Sequence, residues 1–186
     1  SQQGGGSPVL RGFEANKVLI VVDGVRMNNA IYRSGHLQNV ITIDNLVLDR
    51  VEVVYGPGSV IYGSDALGGV MHFITKRPDL PTNDSTVLSS VNGLVRYATA
   101  SQEQTTHFNF NVGFEKLGIF TGITNSNFGN LKMGSVRGKE YPEFGMVKNY
   151  SALTMDGSDT TVINEDPNVQ VPSGYSQVNL IQKVVY

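Results

Sequence analysis

Within Gln104 to Lys116, apolar and polar residues alternate strictly from His107 to Glu115. Phe108, Phe110, Val112 and Phe114 fall on one side of the pattern; His107, Asn109, Asn111, Gly113 and Glu115 fall on the other. Side chains alternate across a β-strand with a period of two, so this spacing predicts a strand with one wholly apolar and one polar face. The pattern recurs more weakly at Val87 to Tyr97 through Val91, Val95 and Tyr97, and at Leu117 to Phe128 through Ile119, Thr121 and Ile123. Gly174 to Tyr186 repeats it through Val178, Leu180, Val184 and Tyr186. Each segment is ~10 residues or slightly more, the length a tilted strand needs to cross a bilayer. Leu117-Gly118 is a near-immediate turn, whereas about 129–173 is a long polar excursion; short turns at one end and long loops at the other are the habit of outer-membrane barrels. A soluble sandwich with a solvated polar face gives the same alternation, so the pattern by itself leaves both architectures open. Four strands fall short of the ~8 of the smallest bacterial barrels, and an open edge in lipid leaves backbone groups unsatisfied. On the barrel reading, most of the barrel lies outside this sequence.

Residues 17–77 carry a different rhythm. Three short apolar runs are each ended by turn chemistry: Lys17 to Val22 by Asp23-Gly24, Leu48 to Tyr55 by Gly56-Pro57-Gly58, and Val70 to Thr75 by Lys76-Arg77-Pro78. These runs are expected to be strands. Val18 to Val22 is apolar on both faces, which predicts a strand covered on both sides within a mixed sheet. Between the first two runs, Arg26 to Asn45 is polar and Asn-rich, and reads as an exposed loop with a short helical turn. The 21 glycines and the absence of Trp among 186 residues favour many strands and turns over helices. A net charge of −2 with 16% charged residues offers no basic field for nucleic acid. Without Cys there are no disulfides, thiolate metal sites or Cys nucleophiles, and no run reaches the ~18 apolar residues of a spanning helix. The chain opens on Gly4 to Gly6 with no basic and hydrophobic leader and stops at Tyr186 inside an alternating segment, so it is expected to be a fragment.

The most specific signal is an ordered series within about 70 residues: Pro8-Val9-Leu10-Arg11-Gly12-Phe13, Val21-Val22-Asp23-Gly24-Val25, Asp49-Arg50-Val51-Glu52-Val53, Gly56-Pro57, and Tyr62-Gly63-Ser64-Asp65-Ala66-Leu67-Gly68-Gly69-Val70. In this order and spacing it resembles the plug domain of TonB-dependent outer-membrane receptors, above all the cobalamin, haem and siderophore receptors. The resemblance covers residues 7–78 by motif and 86–186 by position and pattern, and it decides between sandwich and barrel. It implies a mainly β fold: a plug with a mixed α+β sheet, followed by the first antiparallel strands of a transmembrane β-barrel. Residues 1–80 are then the C-terminal part of the plug, and 81–186 the first four or so strands, with a long extracellular loop at about 129–173.

Other chemistries have weaker support. The glycines from Gly63 to Gly69 have the spacing of a phosphate-binding loop but lack the Lys and Ser/Thr that should follow. No catalytic constellation stands out, and the chain is not expected to be an enzyme. His36, His72 and His107 each lack a second ligand at metal spacing, so no metal or cofactor is assigned. His72 reads as a structural His in an apolar strand, and His107 as a member of the lumen-facing row. Asp156, Asp159, Glu165 and Asp166 could gather oxygens for Ca²⁺, but their spacing matches no calcium loop.

The resemblance also assigns roles. The loop Asn28 to Asn39 should face the external cavity near the plug apex, making Asn28, Asn29, Tyr32, Arg33, His36 and Gln38 candidates for substrate contact; a lone loop His such as His36 is a weak candidate for axial haem ligation. Plug arginines in that family pair with barrel glutamates. Arg11 and Arg50 both sit beside apolar runs, where a buried guanidinium needs a carboxylate partner; Arg11 matches the family's Arg-Gly position, whereas Tyr55 stands before Gly-Pro where the second pairing arginine is usual. The implied protein sits in the outer membrane of a Gram-negative bacterium and imports a scarce, bulky nutrient by energy-coupled plug rearrangement. Its implied partners are outer-membrane lipid, the remaining barrel of the same protein, a periplasmic TonB-type energy transducer and a small-molecule or metal-chelate substrate. The competing readings are a porin, or an adhesin or structural protein, without energy coupling.

Overall fold

The structure, a computed structural model, describes residues 6, 8–13, 17–27, 42–56, 59–63, 66–82 and 87–186. It divides into two compact units, one of residues 1–93, 107–124 and 179–186, the other of 94–106 and 125–178.

The first unit holds a small mixed sheet made from β1 (Val18–Val22), β2 (Val25–Arg26), β3 (Leu48–Tyr55) and β4 (Gly69–Thr75), with one helical turn, α1 (Ser59–Tyr62), between β3 and β4. The order is β2-β1-β4-β3. β1 runs parallel to β4, from Val18 opposite Gly69 to Val22 opposite Phe73, and β3 runs antiparallel to β4. A strand between two neighbours and covered on both faces has no place for a polar residue, which is why Val18 to Val21 are buried throughout. Leu19 and Val21 pack with Ala66 and Val70, and Tyr62 closes over them. The turn from β1 to β2 has positive φ at both central residues, 48° at Asp23 and 86° at Gly24. That is the hairpin geometry whose twist suits the flanking strands, and glycine adopts it without a Cβ penalty.

The long strands are β5 (Leu88–Ala98), β6 (Glu103–Gly113), β7 (Gly118–Phe128) and, after the excursion, β12 (Tyr175–Val185), in the order β12-β7-β6-β5. On β6 the burial inverts that of a water-soluble sandwich. On β6, Thr105, His107, Asn109 and Asn111 are buried, while Phe108 and Phe110 are 53% and 45% exposed. Val91, Val95 and Tyr97 of β5 and Val178, Leu180 and Val184 of β12 are exposed in the same way. A wet surface has no reason to display aromatic and β-branched residues in register while hiding its amides; a lipid-facing wall with a covered polar lumen side does.

The excursion of the second unit is more ordered than a polar loop. β8 (Leu131–Lys132) pairs with β11 (Val169–Gln170), and β9 (Asn149–Leu153) pairs with β10 (Asp159–Ile163). The Asn164 amide joins the two small sheets by donating to the carbonyls of Val147 at 2.7 Å and Val169 at 2.8 Å. Phe128 stacks on Tyr175 with ring centroids 4.6 Å apart, where the excursion leaves and rejoins the long strands.

If the exposed face of β6 is a lipid face, Phe108→Arg, near the middle of the strand, should destabilise the membrane-inserted protein by about 2–4 kcal/mol, whereas the same charge at Gln104, near its end, costs about 1 kcal/mol or less. Folding titrations of the full-length protein into lipid vesicles measure both.

Candidate functional site

The inner faces of β6 and β7 are buried because connections of the small sheet lie against them. The chain leaving β4 crosses the inner side of the strands: the Asp79 N–H donates to Asn111 Oδ1 at 3.0 Å. One glycine makes room for this chain and another for the turn at Asn45–Val47. A Cβ on Gly113 would stand 2.1 Å from the Asp79 carbonyl oxygen, and one on Gly122 would stand 2.9 Å from Val47 Cγ1. Side chains at these positions would push the plug off the wall.

Two hydrogen-bonded clusters hold this seam. In the first, the Asp23 carboxylate accepts from Thr75 N–H at 3.0 Å and Thr75 Oγ1 at 2.7 Å, and Lys183 of β12 pairs with it at 3.0 Å. Lys183 also donates to the Thr75 carbonyl at 3.2 Å. Partial burial of Asp23 favours its neutral form, but the bonds from Thr75 and the Lys183 ammonium outweigh it and hold the carboxyl below its ordinary range. In the second, Asp44 caps the 3-10 turn at Asn45–Val47 by accepting from Leu46 N–H at 2.9 Å, and Thr124 of β7 donates to its other oxygen. Thr124 Oγ1 lies 2.6 Å from His107 Nδ1, His107 Nε2 lies 3.0 Å from Asn109 Nδ2, and Asn92 of β5 donates to Asn109 Oδ1 at 3.1 Å. A cavity of about 900 Å³ follows the seam, lined by both signs of charge, including Asp23, Arg50, Asp79 and Lys183, and by Asn92, Asn109 and Asn111. Asn111 Nδ2 is buried with no partner among the described residues. The chemistry of these groups is holding and hydration: donors, acceptors and an ion pair able to exchange partners with water.

Asn28, Asn29, Tyr32, Arg33, His36 and Gln38 lie outside the described residues. Arg11 and Arg50 are exposed within this chain. The Arg11 guanidinium stands 4.9 Å from the centroid of the Tyr55 ring, so the family's two arginine positions are neighbours in space. Arg50 pairs with Asp49 and Glu52 of its own strand, each at 2.8 Å. His72 accepts from Gly24 N–H at 3.1 Å, bracing the β1–β2 turn. The four acidic residues of the excursion do not converge, and no group of three metal-ligating side chains forms among the described residues. Thr154 and Ser158 hydrogen bonds draw Asp156 down to about 2. Lys132, 2.9 Å from Asp166, and Asn168 draw Asp166 down to about 2. Sequence reading missed Asp44, Asp79, Thr124 and Lys183, whose roles depend on the meeting of distant segments. The one available signal was the polar row His107, Asn109, Asn111, which had to meet something.

A small mixed sheet docked against the polar side of strands whose other side is apolar defines a plugged-wall protein. Residues 1–70 match the family model of the TonB-dependent receptor plug domain. Over 151 residues the chain is 33% identical to the vitamin B12 transporter BtuB of Vibrio vulnificus, a stretch covering 67% of this chain and 24% of that protein. It is also similar to a crystal structure of a ferric enterobactin receptor mutant from Pseudomonas aeruginosa, with 18% identity, a TM-score of 0.47 and coverage of 80% of this chain and 24% of the other. The chain belongs to the TonB-dependent receptors, and spans 24% of the length of each of these two relatives.

Because the Asp23 pKa is lowered on folding, its stabilising contribution is complete above the ordinary carboxylate value of about 3.9 and drains away as pH falls through the lower folded value. Asp23→Asn should therefore weaken the seam at neutral pH and remove part of its acid sensitivity below about pH 4. Hydrogen exchange of the β4 backbone, followed against pH, tests this; identical profiles for variant and parent would exclude the role.

Proposed function

We propose that this chain is the plug-and-wall portion of an outer-membrane receptor that imports a scarce, bulky nutrient into a Gram-negative cell. The observation that carries the reading is the inverted burial of β6, with its amides and imidazole covered by the plug and its phenylalanines exposed. A passive porin needs no packed lumen domain, and an adhesin needs neither the plug nor a polar seam. The relative named as a vitamin B12 transporter favours cobalamin or another bulky chelate among the substrate classes, with siderophore-iron and haem as the others.

In this mechanism residues 1–80 act as the C-terminal part of the plug and 81–186 as the opening strands of the barrel, the excursion at about 129–173 facing outward. Substrate contact falls to Asn28, Asn29, Tyr32, Arg33, His36 and Gln38 of the segment between β2 and β3. Arg11 and Arg50 hold the plug against carboxylates of the remaining barrel. A periplasmic TonB-type transducer then pulls on the plug, shifting the population from an occluded to an open state with no covalent chemistry. The polar seam suits such a task, since each hydrogen bond broken on opening is replaced by one to water at a small net cost.

The test joins fractionation to mass. The native protein should partition with detergent-solubilised outer membrane at a mass several times 20.2 kDa, and its deletion should abolish growth on a limiting chelated nutrient. A soluble native species near 20.2 kDa would overturn the reading.

A further inference from the structure

The second seam cluster has a direction. An ionised carboxylate only accepts, so the single hydroxyl proton of Thr124 is committed to Asp44. Thr124 Oγ1 must then accept from its other neighbour, which places the imidazole proton of His107 on Nδ1, 2.6 Å away. Asn109 Oδ1 is already occupied by the Asn92 amide, so Asn109 Nδ2 faces His107 Nε2 as a donor, and that nitrogen carries a lone pair. His107 is therefore neutral, in the Nδ1–H form. Five side chains are linked donor to acceptor from Asn92 on the wall to Asp44 on the plug. His107, Asn109 and Thr124 are 3%, 6% and 2% exposed, so a misoriented link would leave a buried group unsatisfied.

We propose that this relay is a latch on the plug segment 42–47, and that the relay parts at its Thr124–Asp44 bond when that segment is drawn away. The proposal rests on the reading of the chain as a plug held inside a strand wall, and adds how the hold is made and released. Only the last link crosses from wall to plug, and it is the one with a charged partner, which makes it the strongest of the series. On the plug side Asp44 also fixes the turn at Asn45–Val47, so the latch and the packing of Val47 beside Gly122 are engaged together. Once Asp44 leaves, the hydroxyl of Thr124 is free to turn to water, and the rest of the relay stays assembled on the wall.

The direction supplies the test. Asp44→Asn keeps the shape of the side chain, and its oxygen stays on Leu46 N–H, so its amide now donates to Thr124. The Thr124 proton must then turn to His107 Nδ1, the imidazole proton must move to Nε2, and the amides of Asn109 and Asn92 must turn over so that Asn109 Oδ1 accepts from it. Solid-state ¹⁵N NMR of the histidine-labelled full-length receptor, with His107 assigned by its loss in His107→Gln, should show Nδ1–H in the parent and Nε2–H in Asp44→Asn. Maleimide labelling of Val47→Cys, in a cysteine-free receptor in outer-membrane vesicles, should speed up about tenfold with Asp44→Asn or Thr124→Val and stay near the parent rate with Thr124→Ser. An Nε2–H imidazole in the parent, or labelling unaffected by Asp44→Asn, overturns the latch while leaving the outer-membrane reading intact. A receptor absent from the outer-membrane fraction overturns the reading on which the latch rests.

Discussion

A strand that shows phenylalanine to one side and amides to the other has to satisfy both sides at once. On β6 the amide side is buried, so every donor and acceptor there needs a partner from within the protein. Strands of one sheet use their backbone groups on each other, which leaves the polar side chains of the inner row to find their own. The plug connections provide several: Asp44 for Thr124, the Asp79 backbone for Asn111, and Asp23 for Lys183. The position of the plug follows from this constraint more than from any apolar packing between sheet and wall.

A polar seam behaves differently from an apolar one when it parts. Separating two apolar faces exposes area to water, at ~25 cal/mol for each Å². Separating hydrogen-bonded faces exchanges one set of bonds for another, with a net cost near 1 kcal/mol for a typical neutral bond. The plug keeps its own apolar core, Leu19, Val21, Ala66 and Val70, inside the small sheet. It can move as a body, or detach segment by segment, without first dismantling that core. Gly113 adds to this by letting backbone approach backbone without interlocking side chains, and Gly122 by offering Val47 a flat seat.

The sequence made the strands legible and the seam only half so. The alternation of 104–116 located β6 and the orientation of its faces, and the apolar run at 18–22 located the covered central strand, because both patterns are local and periodic. Asp23-Gly24 announced its turn through the φ that only such residues take readily. The pairs β8–β11 and β9–β10 were read as loop: strands of two and five residues with no alternation of their own are specified by tertiary bonds such as those of Asn164. α1, a single turn, lacked the length for a helical period. Asp44 and Lys183 carried no signal in isolation, since an Asp before Asn-Leu and a Lys in a strand are ordinary residues until the fold sets one opposite Thr124 and the other opposite Asp23.

Arg11 and Arg50 show where spacing and environment part company. An arginine beside an apolar run suggests a buried cation in need of a carboxylate. In this chain both are exposed: Arg50 meets carboxylates one and two residues away on its own strand, and Arg11 lies over the aromatic face of Tyr55. A guanidinium stacked on a ring keeps its N–H edge free, because the stacking uses the face of the cation and leaves the in-plane donors unspent. Tyr55 at the position of a second arginine thus changes the local chemistry from repulsion between two cations to attraction between a cation and a ring. Arg11 is held over the Tyr55 ring by its cationic face.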